Sequence, residues 1–305
     1  MLYKYKKHFK IFLVFLLIGL SLFYIWQSCR QDLVNIHKQV DIEEKLSVHF
    51  IDVGQGDAIL IRTPGGQHML IDGGDRRTAV IEKLLAYLRA WDIETIDAIV
   101  ATHPHADHIG GLGAVINNFE VKTVYDSGRV HTTQTYEDYL NLIEREDIPF
   151  HTPRRGDIIE MGELEFRVVH PGDNVERYSL NDASIVLHLE YGDISFLFTG
   201  DAEARAESEI LNSGINVESE VLKVGHHGSS TSTGREFLNR IKPEVAVIQV
   251  GMNNRYGHPH QETLNNLKEK DVNIYRNDLH GDIIITTDGN EYFVTVEKNN
   301  KEYKD

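Results

Sequence analysis

Apolar residues form two kinds of pattern along the chain. Phe9 to Trp26 is a nearly unbroken apolar run, and from Leu46 the pattern changes to short β-type runs. Leu46–Val53 and Ala58–Thr63 are rich in β-branched residues, with Gly54-Gln55-Gly56-Asp57 turning the chain between them. Pro64-Gly65-Gly66 is a second turn and Gln67–Asp72 a third strand. Apolar residues then recur at helical spacing over about Thr78–Trp91. Asp97–Thr102 reads as a buried strand, a helix is expected after Gly110-Gly111, Val121–Tyr125 as a short strand and Thr133–Glu146 as a helix. Further strands are expected at Glu163–His170, Ser184–Tyr191, Ile194–Thr199, Glu220–Val224, Val245–Val250 and Asp282–Thr287. Helices fit Glu203–Asn212, Phe237–Ile241 and Thr263–Lys270. No fixed-period repeat is visible. Strands dominate each half and helices punctuate them. That layout predicts an α/β (α+β) fold, a four-layer αββα sandwich of two mixed β-sheets with outer helices.

The first run has a different meaning. About 18 apolar residues nearly cross a hydrocarbon core of about 30 Å. Lys4, Lys6 and Lys7 precede it, Lys10 interrupts its start, and Tyr24 and Trp26 stand at its far end. Lysines before the run place the N-terminus in the cytoplasm and the body outside. The expectation is one N-terminal transmembrane helix, an uncleaved signal anchor over residues 1–26, holding a single-pass protein in the cell membrane. Residues 27–45 form a polar stem, residues 46–297 the domain, and residues 298–305 a polar tail. Cleavage and secretion, or a lipid on Cys29, are the alternatives, and Trp26-Gln27-Ser28-Cys29 matches both poorly.

Charge and composition narrow the chemistry. The 305 residues carry a formal charge of −16. The first 30 residues hold no acid, so the body is more acidic still. Such a body does not resemble a non-specific nucleic-acid binder. A single cysteine excludes an internal disulfide framework and cysteine-rich zinc sites. Sixteen histidines are many for this length, and most are expected to be scattered. One group is not. Thr102-His103-Pro104-His105-Ala106-Asp107-His108 ends a predicted strand and is followed by Gly110-Gly111. Four possible ligands within six residues suit a borderline divalent metal, zinc or manganese among them. Two such ions could share the cluster and activate a water. There is no Gly-x-Ser-x-Gly elbow and no phosphate-loop motif.

The seven-residue motif resembles the histidine motif of the metallo-β-lactamase fold superfamily. Phe198-Thr199-Gly200-Asp201 and Leu222-Lys223-Val224-Gly225-His226-His227-Gly228-Ser229 are similar to its later landmarks. His49-Phe50-Ile51-Asp52-Val53-Gly54-Gln55-Gly56-Asp57 and Tyr256-Gly257-His258-Pro259-His260 resemble the ComEC-like hydrolase domains more narrowly. The resemblance implies a metal-dependent hydrolase over about residues 46–290 with two divalent ions, zinc or manganese. It implies His103 and His105 on the first metal, Asp107 and His108 on the second, and Asp201 bridging. His226 is expected as the last ligand, with His227 orienting a ligand or touching substrate. Many members have a third imidazole on the first metal. Here Asn181 or Asp182 would stand in for it.

His258 is expected to donate to a phosphoryl oxygen or protonate a leaving group, and His260 to touch substrate. Asp107 and Asp201 would also orient the nucleophile. Ser229 is expected either to bind an anion through backbone N–H groups or to cap a helix. Asp52, Asp57 and Asp72 are expected to hydrogen-bond to ligands or shape turns. The resemblance implies a phosphodiesterase or nuclease acting on a phosphodiester, DNA or a nucleotide; the N-terminal run places it outside the cytoplasmic membrane, and no obligate protein partner is expected. Hydrolysis of another ester, a lactone, a lactam or a cell-wall choline-phosphate ester on the same fold is the alternative. A membrane-tethered binding protein with a dead site is the third reading.

Overall fold

The computed structural model describes residues 45–298. The expected anchor, the stem up to Glu44 and the tail beyond Lys298 lie outside the described residues. Among the described residues no helix is long and apolar enough to cross a membrane.

Two large mixed sheets form the middle of the domain. Across the first, the strands run Tyr292–Val296, Ile283–Thr287, Leu46–Phe50, Ile59–Arg62, His68–Ile71, Ala98–Ala101, Val124–Asp126 and Phe150–His151. Across the second they run Asn273–Arg276, Val245–Ile248, Val221–Lys223, Ile194–Phe198, Val186–Tyr191, Leu164–His170 and Ile158–Met161. His68–Ile71, Ala98–Ala101 and Val124–Asp126 are mutually parallel. So are Ile194–Phe198, Val221–Lys223, Val245–Ile248 and Asn273–Arg276. The remaining pairings among the long strands are antiparallel.

Alternation along each strand explains the layering. Leu46, Val48 and Phe50 point into a central core that also holds Phe166, Phe196 and Phe198 from the other sheet. The intervening Ser47 and His49 face the other way and are also buried. His49 Nδ1 lies 2.9 Å from the Tyr87 hydroxyl, and its ring meets Trp91 edge-on. Those partners belong to or end the helix Thr78–Ala90, which buries Val80, Leu84 and Leu88 at i, i+4 and i+8. A second core, including Leu60, Leu70 and Ile99, joins the first sheet to its helices. A third joins Leu197, Leu222 and Ala246 to Ala206, Ile210, Phe237 and Leu267 on the helices over the second sheet. Three apolar interfaces between four layers bury both faces of both sheets. This is why the strands read as near-continuous apolar runs.

The short strands at the sheet margins were not in the sequence expectation. Tyr292–Val296 alternates between half-buried and exposed positions and sits at the edge of the first sheet. Its pattern is that of a one-sided edge strand beside a polar tail, which weakens the apolar signal.

The central core carries the stability of the sandwich. Phe50→Ala is expected to cost about 3–5 kcal/mol, read as a lowered midpoint in denaturant unfolding. Phe293→Ala, on the edge strand and 53% exposed, is expected to stay within about 0.5 kcal/mol.

Candidate metal centre

Parallel strands from both sheets end on one side of the domain, and their C-terminal ends carry the site. His68–Ile71 delivers Asp72, Ala98–Ala101 delivers Thr102 and His103, and Ile194–Phe198 delivers Asp201. Val221–Lys223 leads to His226 and His227, and Val245–Ile248 to Gln249. Asp107 and His108 lie on the short helix Ala106–Ile109. The Gly54–Asp57 turn packs on this helix so closely that a Cβ at Gly56, at φ +138°, would collide with the Asp107 carbonyl oxygen. Asp57 N–H donates to that same carbonyl at 3.2 Å.

Asp201 is the centre of the arrangement. Its Oδ2 lies 3.3 Å from His108 Nε2, 3.7 Å from His103 Nε2, 3.7 Å from His227 Nε2 and 3.8 Å from His226 Nε2. His103 Nε2 and His105 Nδ1 approach to 2.9 Å. His227 Nε2 lies 3.5 Å from Asp107 Oδ2. Two groups of potential ligand atoms result, His103 with His105 and Asp201, and Asp57 with His108, Asp201 and His227, each within 4.8 Å. Asp201 belongs to both.

Metal ions fit these residues. His108 Nε2, His227 Nε2 and Asp201 Oδ1 are buried with no hydrogen-bond partner. Buried polar atoms are ordinarily satisfied, so three open ones aimed at one place mark a position for cations. The far sides of the same rings are held. His108 Nδ1 lies 2.7 Å from Asp72 Oδ2, and Asp72 also accepts from Thr102 N–H and the Thr102 hydroxyl. His227 Nδ1 lies 2.9 Å from the Gln249 carbonyl. Such outer contacts set ring orientation and tautomer. Asp57 is already committed: the fully buried Lys223 ammonium pairs with its Oδ2 and donates to the Gly200 carbonyl at 2.9 Å. With its other oxygen 3.2 Å from His227 Nδ1, Asp57 steadies that ring from behind. Asp107, partly exposed, is the carboxylate left for a second ion beside His108, His227 and Asp201.

The electrostatics agree with a cation site. Burial resists charge on His108 and His227. Asp201, Asp72 and Asp57 nevertheless push His108 well above the usual imidazole value, and Asp201, Asp57 and Asp107 push His227 to about 10. Burial also opposes ionisation of Asp201, but His108, His227 and His103 hold its carboxyl well below the usual carboxylate range. His103 and His105 are pushed down by burial and then by His108. Four carboxylates drawn into one buried place retain protons on two imidazoles, and a divalent ion would displace those protons.

The other expected site residues fall into place or move. His226 and His227 are placed differently from the expectation, with His227 rather than His226 in a cluster with Asp57, His108 and Asp201. Both have positive φ, and the resulting left-handed turn sends His227 inward while His226 stays on the lip, its Nδ1 3.0 Å from Glu203 Oε1. Asp182 is not available as a ligand. Its Oδ1 accepts the Glu203 and Ala206 N–H groups at the start of the helix Ala204–Ser213, and its Oδ2 accepts from Ser179 Oγ. Asn181 lies beside His226, and its Oδ1 is buried without a partner. Ser229 does not line the cleft. It is buried in the turn after His227, bonded to the Thr231 hydroxyl, with its carbonyl accepting from Thr263 Oγ1. His260 is likewise a brace: Nδ1 accepts from Ser230 N–H and Nε2 lies 3.2 Å from the Tyr256 carbonyl. His258 remains in the cleft, its ring 5.4 Å from His226 and its Nδ1 buried and unpartnered. The sequence reading gave no role to Lys223, although it stands in the Leu222–Ser229 motif, and missed His131, whose ring stands 6.1 Å from that of His105 and which no motif marks. It also missed Glu203 and Glu207. Glu207 accepts from Thr233 and Gly234 N–H, while the Thr233 hydroxyl accepts from Gly225 N–H. The turn that presents His226 and His227 therefore leans on a buried carboxylate.

This geometry matches known proteins. A model of the metallo-beta-lactamase superfamily matches residues 51–251. The chain belongs to the metallo-β-lactamase superfamily. ComE operon protein 3 of Bacillus subtilis is 34% identical over 251 residues, covering 77% of this chain and 32% of that protein. Competence protein ComA of Neisseria gonorrhoeae is 30% identical over 244 residues, covering 78% and 32%. The chain thus spans about a third of the length of these competence relatives. The crystal structure of CmlA, a diiron beta-hydroxylase from Streptomyces venezuelae, superposes with a TM-score of 0.53 at 14% identity over 80% of this chain and 54% of that one. At that identity it shows a shared fold alone. The superfamily fold and the buried His/Asp cluster make the protein one of the metal-dependent hydrolase family.

In this superfamily member the brace behind the His226-His227 turn titrates. Burial raises Glu207 from 4.5 to about 7, against the pull of its two backbone donors. The folded state therefore holds this proton more tightly than the unfolded one. The stabilisation that brings is full below pH 4.5 and is lost as pH rises through about 7. Glu207→Gln is neutral throughout and escapes that loss. Its melting temperature relative to the natural chain is expected to rise steadily across this window. A pH-independent difference would contradict the assignment.

Proposed function

We propose that the protein hydrolyses phosphodiesters, with DNA or a nucleotide as substrate. The carrying observation is His258, an imidazole facing the Asp201 cluster across the same cleft of about 910 Å3, with its Nδ1 open. Burial, then His226, His227 and His260, lowers its pKa to about 4, so it is neutral at working pH. A neutral imidazole can donate its one N–H as a hydrogen bond to a phosphoryl oxygen as charge develops there. Arg255 and Arg77, the latter paired with Asp75, line the cleft and can meet a phosphate group there. The likeness to two competence proteins supports a nucleic-acid reading.

His103 and His105 would hold one ion, Asp107, His108 and His227 a second, with Asp201 between them. Bound zinc or manganese would supply Lewis-acid polarisation of the phosphoryl group and a nucleophile at neutral pH. Asp107, on the open side of the cluster, orients the attacking water, and Asp201 fixes the imidazoles around it. His226, held by Glu203, stands on the lip where the departing group leaves. The run Phe9–Trp26 behind its lysines supports a place for this domain on the outer face of the cytoplasmic membrane.

The test is a substrate panel with zinc or manganese: bis-p-nitrophenyl phosphate, single-stranded DNA, duplex DNA, nitrocefin and a lactone. Diester cleavage is expected, abolished in Asp107→Ala and Asp201→Ala. His258→Ala is expected to lower kcat by roughly 100- to 1,000-fold with a smaller change in KM. Lactam or lactone cleavage without diester cleavage would overturn the proposal.

A further inference from the structure

Tyr256 and Met252 stay exposed where the cleft should favour polar groups. Single apolar side chains on a surface are ordinary. These two, 48% and 68% exposed, lie four residues apart on one wall of the cleft that holds the metal ligands. The wall is braced. Asn254 Nδ2 donates to the Gly251 and His258 carbonyls, and its Oδ1 accepts from Tyr256 and His258 N–H. Gly251 N–H donates to Gln55 Oε1, and His260 reaches back to the Tyr256 carbonyl. The exposure is therefore built into a fixed loop.

The rings on that loop form a column. The Arg255 guanidinium stands 4.9 Å from the Tyr256 ring centroid. Tyr256 stacks on His258 at 5.6 Å and 24°, and His258 meets His226 at 5.4 Å. The column thus leads from solvent to the Asp201 cluster.

We propose that residues 252–256 form a stacking subsite for the nucleobase adjoining the scissile phosphodiester. An aromatic ring with a guanidinium beside it, in a cleft also lined by Met252, suits the π-face of any base. The proposal deepens the phosphodiester reading and rests on it for where the phosphate sits. A base inside a duplex has both faces covered by its neighbours, so the subsite takes a single strand, a frayed end or a nucleotide.

The test separates binding from turnover. Detergent-solubilised full-length Asp107→Asn protein is titrated with a short fluorescent oligothymidylate and with an abasic oligonucleotide of equal length and charge. The thymidylate is expected to bind roughly tenfold or more tightly. Tyr256→Ala should remove that preference, and Tyr256→Phe, which keeps the ring, should retain it. Equal affinity for the two probes, or a preference that Tyr256→Ala leaves intact, overturns the subsite. In the catalytically intact protein, Tyr256→Ala should raise KM for the thymidylate, and Tyr256→Phe should leave it near that of the natural chain. Absence of any diester cleavage, with base-dependent binding retained, would instead fault the phosphodiesterase reading alone.

Discussion

The carboxylate of Asp201 is buried among the imidazoles of His103, His108 and His227, and the rest of the site is arranged around that placement. A buried carboxylate is expensive unless cations surround it. Here Asp57, Asp72, Asp107 and Asp201 converge on one place, and only one fixed cation, Lys223, pairs directly with any of them among the described residues. That ammonium is spent on Asp57 at the back of the cluster. The remaining negative charge faces three open ligand atoms. The result is a buried His/Asp well capable of holding metal ions.

The sandwich makes this placement possible. Parallel strands of both sheets end on one side, so ligands far apart in sequence meet without long loops. The central aromatic core fixes the distance between the sheets, and the ligands inherit that spacing. Behind the ligands stand groups whose only work is orientation: Asp72 on His108, the Gln249 carbonyl on His227, and Glu203 on His226. Glu207 holds the turn itself.

Much of this was legible in the sequence, for specific reasons. The strands were readable because both faces of both sheets are buried, and the first ligand cluster because four donors crowd the end of one strand. The pairing of that cluster with Asp201 came from resemblance to a family, since no local pattern links residues 107 and 201. Adjacent histidines defeated the reading. Which of His226 and His227 points inward depends on two positive φ angles that no apolar period encodes. Asp182 was misread because its partner is the start of a helix some twenty residues further on. Ser229 and His260 looked like substrate contacts because their motif is rich in polar groups, yet those groups bond to one another.

Metal content measured together with stability tests the account most directly. Purified protein should carry up to about two divalent ions per chain, and chelation should lower its unfolding midpoint. Asp201→Asn should lose both the metal and the response to chelator. A metal-free protein whose midpoint is the same with and without chelator or added zinc or manganese would contradict the account.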